Sequence, residues 1–292
     1  MRVVVVGGTN CMGHYAVRLL AEAGHEVEVY HRGRTGGRLP EGVVEVFRGV
    51  ARRIVAISSE DVYRAYDVVR GLAPGPPDPV PLSEDAPLRE RLYPYEREGI
   101  EDYEKILVER IVVGDPDLSG TVLRLPAVYG PGDYQHRIFD YVKRMDDGRP
   151  AILLGEGMAD WRWTHGYVED VASAIALAVT DERAASRVYN VGEAEPLPWA
   201  EWVREIGRAA GWDGKVVAVP EDRLPQHLDW KLNTEQQWFV DTTRIRRELG
   251  YREAVPRDEA LRRTVAWERA HPPEKVDPAS FDYAAEDAAL GT

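Results

Sequence analysis

The chain has 292 residues, of which 44% are hydrophobic, and it carries 37 Lys+Arg against 50 Asp+Glu for a formal net charge of −13. This length can bury the core of one large or two modest domains. The negative charge argues against a general attraction to nucleic acid or acidic membranes. The single cysteine, Cys11, excludes an intrachain disulfide and a cysteine-based zinc cluster, which fits a cytoplasmic protein. We expect neither a signal peptide nor a membrane span, because no apolar run approaches about 18 residues.

The first 30 residues predict a strand, a glycine turn, a helix and a second strand. Residues 3–6 form a β-branched run, which is typical of a parallel strand buried on both faces. The helical periodicity begins at Gly13 and ends at Gly24, and Val27 and Val29 begin the next strand. Because a turn of this kind presents free backbone N–H groups and the positive end of a helix dipole, the segment predicts a pyrophosphate site.

The glycine spacing departs from the usual dinucleotide fingerprint at its middle position. Gly7 and Gly13 match, but Asn10 stands where the second glycine is expected. Asn tolerates a positive φ, so the turn can form, although its side chain narrows the approach to the phosphates and Gly8 compensates only in part. The predicted cofactor contacts in this turn are Gly7, Thr9, Asn10, Cys11, Met12 and Gly13; a purely structural turn is the alternative.

A basic segment follows the second strand. Arg32 and Arg34 offer two guanidinium groups where an NAD enzyme usually has a carboxylate for the ribose 2′-hydroxyl. Together with His31 they predict contacts to a 2′-phosphate and therefore NADP as the cofactor, with NAD as the second choice. A solvated basic loop is the alternative interpretation.

Strands and helices alternate along the rest of the chain. The predicted strands are 43–47, 53–59, 121–125, 151–154, 187–191 and 215–219. The predicted helices are 99–113, 138–145, 167–179, 199–210, 242–249 and 257–269. The acidic tail beyond Pro272 either wraps over the surface or stays loose.

The connection between the predicted strands 43–47 and 53–59 is too short for parallel neighbours. Only about five residues separate them, whereas a parallel crossover needs about a dozen or more. Either the two strands pair antiparallel, or a strand–helix segment is missing near residues 49–52. We favour the missing segment.

Seven segments together resemble the NAD(P)-dependent epimerase/dehydratase family, the extended branch of the short-chain dehydrogenases/reductases. They are GGTNCMG (7–13), ISSEDVY (57–63), KILVE (105–109), LRLPAVYGPGD (123–133), RWTHGYVEDVASAI (162–175), YNVGE (189–193) and DTTRIRRELGY (241–251). The resemblance implies an α/β fold, a Rossmann-type doubly wound parallel sheet with a smaller C-terminal substrate lobe. It places the cofactor domain at 1–130 and the lobe mainly at 131–292, with 160–192 returning to the cofactor domain.

The family's chemistry begins with hydride transfer at a hydroxyl-bearing carbon and uses a Ser, a Tyr and a Lys four residues after the Tyr. Ser59 matches the Ser, and Lys105 matches the Lys that also holds the cofactor's ribose, but Glu101 stands at the Tyr position. On a regular helix Tyr103 would lie about 200° around from Lys105. We therefore take Ser59, Lys105 and Glu101 as the catalytic candidates and expect Tyr103→Phe to leave turnover largely intact.

The resemblance implies further contacts. Ser58, Leu125 and Val128 are expected at the cofactor, and Tyr129, Arg162 and His165 at the substrate. Each also has a plain structural interpretation, as a turn, packing or core residue. No metal ligands are expected.

The resulting hypothesis is an NAD(P)-dependent oxidoreductase, epimerase or dehydratase acting on a sugar nucleotide or a related hydroxyl substrate. The alternative is a nucleotide-binding regulatory or RNA-associated member of the same family that has lost catalysis. The missing Tyr favours the alternative, whereas the retained Ser59 and Lys105 favour the enzyme. We expect a small-molecule partner, allow for a homodimer, and do not expect a nucleic-acid partner.

Overall fold

The computed structural model describes residues 1–8, 11–30, 50–115 and 117–291. The strands are β1 (Arg2–Val6), β2 (Glu26–Tyr30), β3 (Arg53–Ser59), β4 (Ser119–Leu125), β5 (Ala127–Tyr129), β6 (Ala151–Gly155), β7 (His165–Tyr167), β8 (Val188–Asn190) and β9 (Lys215–Val219). The helices are α1 (Met12–Glu22), α2 (Arg64–Val69), α3 (Lys105–Gly114), α4 (Phe139–Asp146), α5 (Glu156–Asp160), α6 (Val168–Thr180), α7 (Trp199–Ala210), α8 (Thr243–Leu249), α9 (Arg257–Ala270) and α10 (Tyr283–Leu290). Short 3-10 helices include Glu60–Val62, Gln226–Leu228 and Pro278–Phe281.

The central sheet has the parallel order β3-β4-β8. Alternate side chains of a strand face opposite sides, so Ala56 and Val122 pack against Val112 of α3. Leu123 faces the other way, into the main core to which α6 contributes Ala174. Helices therefore cover both faces of this sheet, which confirms the doubly wound α/β prediction.

The strands of the N-terminal unit lie apart from this sheet. β1 pairs in parallel with β2, and α1 packs against α6. Within the described ranges β1 forms no ladder with β3. Val4 and Val6 are 37% and 45% exposed, whereas Val3 and Val5 are half-buried. The prediction that β1 is buried on both faces is therefore wrong, because only one of its two alternating sets of side chains packs inward.

The short connection before β3 remains open. The predicted strand 43–47 lies outside the described residues, so the antiparallel alternative has no structural test. In the described part of the chain β3 pairs along one edge only, with β4. The missing segment near 49–52 stays a prediction.

Most of the other predicted elements are confirmed. The strands 53–59 and 215–219 and the helix 199–210 have the predicted bounds. The later elements agree within two residues, except the helix predicted at 99–113, which begins only at Lys105. β8 pairs with β4, as expected if residues 160–192 return to the cofactor domain, although the domain bounds themselves stay predictions.

The acidic tail is not loose. It ends in α10, whose Glu286 is buried and accepts a hydrogen bond of 2.9 Å from Nη2 of Arg144 in α4. Nε2 of His227 lies 3.0 Å from the same carboxylate oxygen. The tail therefore packs onto the C-terminal lobe. No described helix has the length and apolar character needed to span a bilayer.

Candidate active site

The glycine turn has the close packing that the fingerprint requires. Gly7 and Gly8 have φ values of +92° and +70°, and the N–H of Gly7 donates to the carbonyl of Tyr30 at 2.8 Å. A Cβ on Gly13 would lie 2.5 Å from Cα of Gly8, a separation that real Cβ atoms do not show. Only glycine therefore fits at Gly13, and the N-terminus of α1 lies directly against the turn.

Cys11 precedes α1 as a buried N-cap residue with a φ of +39° and no side-chain capping bond. Burial raises the pKa of its thiol to about 11, so the thiol is neutral at physiological pH and is not a nucleophile. Met12 is the first residue of α1. Thr9 and Asn10 lie outside the described residues, as do His31, Arg32 and Arg34, so the NADP preference stays a prediction.

The segment Tyr129 to Asp133 packs against this helix start. A Cβ on Gly132 would lie 3.9 Å from Cα of Cys11, and the hydroxyl of Tyr15 donates to the carbonyl of Pro131 at 3.4 Å. Leu125 and Val128, two predicted cofactor contacts, are buried near the carboxyl ends of β4 and β5. The structure thus brings the glycine turn and the ends of these strands together.

The start of α3 changes the interpretation of the catalytic segment. Glu104 has extended backbone angles and caps the helix by accepting the N–H of Ile106 at 2.7 Å. The guanidinium of Arg89 holds the same carboxylate through contacts of 2.9 and 3.1 Å. The helix therefore begins at Lys105, and Glu101 lies in an exposed turn before it. The expectation that Glu101 and Tyr103 lie on a regular helix with Lys105 is wrong.

Tyr103 instead lies next to Lys105 and Ser59. Its ring centroid is 5.2 Å from Nζ of Lys105, and Nζ donates to the carbonyl of Ile57 at 3.1 Å. The Tyr103 hydroxyl interacts with the side chains of Ser59 and Asp61. Sequence reasoning excluded this tyrosine because it assumed a helix where the chain is still extended.

Two acids that follow Ser59 were also missed. The hydroxyl of Tyr95 donates to Oδ2 of Asp61 at 3.0 Å, and the indole N–H of Trp163 donates to Oε1 of Glu60 at 2.6 Å. Both carboxyl groups are buried, and the burial raises the pKa of each. The sequence did contain a signal for these residues, because the two acids directly follow a buried strand. Ligand sites of α/β proteins lie at the carboxyl ends of such strands.

Charge and burial set the proton affinities in the cluster formed by Ser59, Asp61, Tyr103 and Lys105. Burial, followed by the negative charge of Asp61, raises the pKa of Tyr103 well above its usual 10.0. Burial lowers the pKa of Lys105, and Asp61 opposes this effect. The tyrosine therefore keeps its proton at neutral pH.

Ser58 does not join the cluster. Its hydroxyl donates to Oε1 of Glu109 at 2.5 Å, and Nη2 of Arg124 donates to Oε2 of the same carboxylate at 2.7 Å. These groups lie within the buried interior between α3 and the sheet. Any cofactor contact from Ser58 stays a prediction.

Two of the three predicted substrate residues line one cavity of about 400 Å³. The hydroxyl of Tyr129 donates to Oε1 of Glu193 at 2.9 Å. His165 stacks on Trp202 with ring centroids 4.2 Å apart, and burial lowers its pKa to about 3, so the imidazole is neutral. Arg162 is not part of the lining; its guanidinium donates to the carbonyl of Pro196 at 2.7 Å. Residues 1–8, 11–30, 50–115 and 117–291 contain no group of three or more His, Cys, Asp or Glu able to hold a metal.

The sequence profile of the NAD dependent epimerase/dehydratase family matches residues 38–192, more than half of the chain. The chain belongs to this family. Members are NAD(P)-binding proteins, so the epimerase/dehydratase resemblance is confirmed.

The curated relatives include several Streptomyces proteins. A dTDP-glucose 4,6-dehydratase of Streptomyces griseus is 34% identical over 155 residues, which is 53% of this chain but only 44% of that protein. A 2′-dehydrokanamycin reductase of Streptomyces kanamyceticus is 27% identical over 278 residues, covering 84% of this chain and 75% of that protein. A 3-diazoavenalumate denitrifying reductase of Streptomyces sp is 26% identical over 322 residues, covering 93% of this chain and 97% of that protein. The chain thus spans less than half the length of the dehydratase that it matches.

Two solved structures share the fold of this epimerase/dehydratase family member. The enzyme WbmH of Bordetella bronchiseptica, in complex with NAD⁺, has a TM-score of 0.66 at 14% identity and covers 92% of this chain and 98% of that one. RMD from Pseudomonas aeruginosa, complexed with NADPH, has a TM-score of 0.63 at 18% identity and covers 92% and 99%. These likenesses confirm a Rossmann-like α/β fold with parallel strands.

Proposed function

We propose that this family member is an NAD(P)-dependent oxidoreductase of the epimerase, dehydratase or reductase type. It would act on a hydroxyl-bearing carbon, or on the corresponding carbonyl, of a sugar nucleotide or a related hydroxyl compound. One observation carries the proposal. The hydroxyl of Tyr103 contacts Ser59 and Asp61 beside Lys105, which supplies the tyrosine that the residue spacing had placed out of reach.

The residues present fit a dinucleotide. The N-terminus of α1, held against the turn by Gly8 and Gly13, would hold the pyrophosphate through its free backbone N–H groups. Lys105 would hold the nicotinamide ribose. When bound, the nicotinamide ring supplies or accepts the hydride. Arg32 and Arg34 support the 2′-phosphate of NADP as the preferred adenosine end.

In this proposal the side chains of the cluster transfer a proton to or from the substrate oxygen. Because Tyr103 keeps its proton at neutral pH, it donates that proton to a carbonyl oxygen as the neighbouring carbon gains a hydride. Ser59 orients the same oxygen by hydrogen bonding. In the opposite direction the tyrosine would first have to lose its proton and would then accept the proton of the substrate hydroxyl.

Replacement of Tyr103 by Phe is the direct test. The loss of a general acid should lower kcat by about a hundredfold or more, measured from the absorbance of the reduced cofactor with a panel of sugar nucleotides and carbonyl compounds. Tyr283→Phe is the matched control, because it removes a tyrosine hydroxyl that contacts Asp147 in the C-terminal lobe. If turnover of Tyr103→Phe stays within about threefold of the parent, tyrosine-dependent proton transfer is ruled out.

A further inference from the structure

The cavity described above forms a chamber walled by tryptophans. Four indoles line it, and two of them, Trp163 and Trp199, stack with planes 18° apart and centroids separated by 6.2 Å. Trp230 lies at the mouth, 47% exposed, and packs edge-to-face with Trp199 with ring centroids 5.1 Å apart. The fourth, Trp202, carries the neutral ring of His165. A cavity of about 400 Å³ falls in the range of small-molecule sites.

The polar edges of two of these indoles are already satisfied. Trp199 donates its N–H to the hydroxyl of Tyr141 at 2.8 Å, and Trp163 donates to Glu60. The faces of Trp163 are covered by Trp238, with centroids 5.0 Å apart, and by Trp199, so the exposed indole of Trp230 is the ring that can stack on a ligand. An exposed apolar ring face favours a ligand ring that can stack on it.

One wall of the chamber contacts the segment that carries the proton-transfer cluster. Trp163 lines the chamber, and its indole N–H lies 2.6 Å from Oε1 of Glu60. Glu60 directly follows Ser59 in the chain, so this wall of the chamber lies beside the cluster.

Both arginines of the described lining pair with carboxylates. Arg137 pairs with Asp133 at 2.7 Å and Arg144 with Glu286 at 2.9 Å. Arg144 and Glu286 are both almost fully buried. A diphosphate that paired with Arg144 would have to displace Glu286, which is unfavourable because it leaves a buried carboxylate unpaired.

We infer that the tryptophan chamber binds a phosphate-free ring substrate, either an aromatic carbonyl or alcohol or an unphosphorylated sugar. This inference rests on the proposed function and selects the related hydroxyl compound over the sugar nucleotide. The shared chemistry is a ring with an apolar face and a reacting oxygen directed to Tyr103. The structure offers a stacking surface at Trp230, and both arginines among the described lining residues are paired with carboxylates.

Calorimetry and tryptophan fluorescence of the full chain, with NADP⁺ present, test the inference. The probes are 4-hydroxybenzyl alcohol, methyl glucoside, UDP and UDP-glucose. We expect at least one of the first two to bind with an affinity that changes little between about 50 and 500 mM salt, since no phosphate contact is broken. Which of them binds identifies the aromatic or the sugar source. UDP should not bind in the chamber.

Variants locate the binding. Trp230→Ala should weaken the phosphate-free probe about tenfold or more, because one stacking face is lost at the mouth. Tyr134→Ala removes an aromatic ring that is 64% exposed outside the lining and is the matched control. If UDP-glucose binds about tenfold more tightly than methyl glucoside and Arg162→Ala removes that advantage, the substrate carries a phosphate and the inference is wrong.

Absence of binding by both phosphate-free probes, or an unchanged affinity in Trp230→Ala, also overturns it. A different outcome would contradict the proposed function. Probes that bind in the chamber but undergo no hydride transfer with either cofactor would count against the oxidoreductase and leave the chamber's ligand class standing.

Discussion

Gly13→Ala tests the contact between α1 and the glycine turn. The new Cβ would lie 2.5 Å from Cα and 2.9 Å from the carbonyl carbon of Gly8. Carbon atoms in contact prefer about 3.5–4.0 Å, so the helix start must move about 1 Å away from the turn. The obstacle is backbone on both sides and cannot rotate aside. We expect a loss of about 1–3 kcal/mol in the free energy of unfolding, and a cofactor affinity weakened about tenfold as the phosphate-binding N–H groups shift.

Thermal unfolding and calorimetric titration with NADPH measure the two effects. Gly114→Ala is the matched control, because Gly114 is the last residue of α3 and a Cβ there meets nothing within 4 Å. That change should be neutral or stabilising by up to about 1 kcal/mol. If Gly13→Ala keeps both the parental melting temperature and the parental NADPH affinity, the turn does not hold the cofactor as argued.

Three further predictions follow from other parts of the molecule. Arg32→Ala/Arg34→Ala should abolish a preference for NADPH over NADH in calorimetric titration; equal affinity of the parent for both would contradict the 2′-phosphate assignment. Burial raises the pKa of Glu268 from 4.5 to about 7 in the folded state, so the folded state binds the extra proton and stability should fall as pH rises between these values. The fall should be at most about 2 kcal/mol and should disappear in Glu268→Gln, as denaturant titrations at several pH values would show. If a strand–helix unit is missing beside β1, hydrogen exchange should be faster at the amides of β1 than at those of β4; equal protection would count against the gap.

Elements with a strong internal pattern were predictable. α7 has a marked amphipathic repeat and ends at Gly211 in a left-handed conformation, so periodicity and the terminating glycine define its bounds. β3 is a continuous apolar run whose bounds also agree. In both cases the information lies in neighbouring residues, which a sequence shows directly.

The start of α3 depends on distant residues instead. Glu104 caps the helix while Arg89, fifteen positions earlier, holds the same carboxylate, and Glu104 also accepts the N–H of Tyr93 at 2.5 Å. Helical periodicity alone extended the element to residue 99 and so turned Tyr103 away from Lys105. The spacing of a catalytic motif is therefore informative only where the helix is known to be continuous.

The pairing of side chains could not be predicted from the sequence either. Ser58 and Ser59 are adjacent in the sequence, yet they face opposite sides of β3, so Ser58 bonds to the buried Glu109 and Ser59 lies at the cluster. Arg144 and Glu286 are 142 positions apart. Neither the net charge nor the residue spacing indicates that Arg144 pairs with Glu286. The sequence alone therefore could not exclude that Arg144 binds a phosphate.

The position of the suspected gap determines which parts of the proposed cofactor site are still present in this chain. The alignment with the 3-diazoavenalumate denitrifying reductase runs over 322 positions, more than the 292 residues of this chain, so that relative has positions that this chain lacks. The proton-transfer cluster lies on β3 and the start of α3, on the far side of the suspected gap from the glycine turn.

The glycine turn and the proton-transfer cluster are nevertheless linked by contacts among the described residues. α1 packs against α6, and the hydroxyl of Tyr15 reaches the carbonyl of Pro131 beside Gly132. These contacts keep the glycine turn next to the strands that lead to Ser59. If the glycine turn and Tyr103 bind the dinucleotide as proposed, a missing strand–helix unit would therefore weaken binding mainly at its adenine end, because the contacts between the turn and the cluster do not pass through that unit.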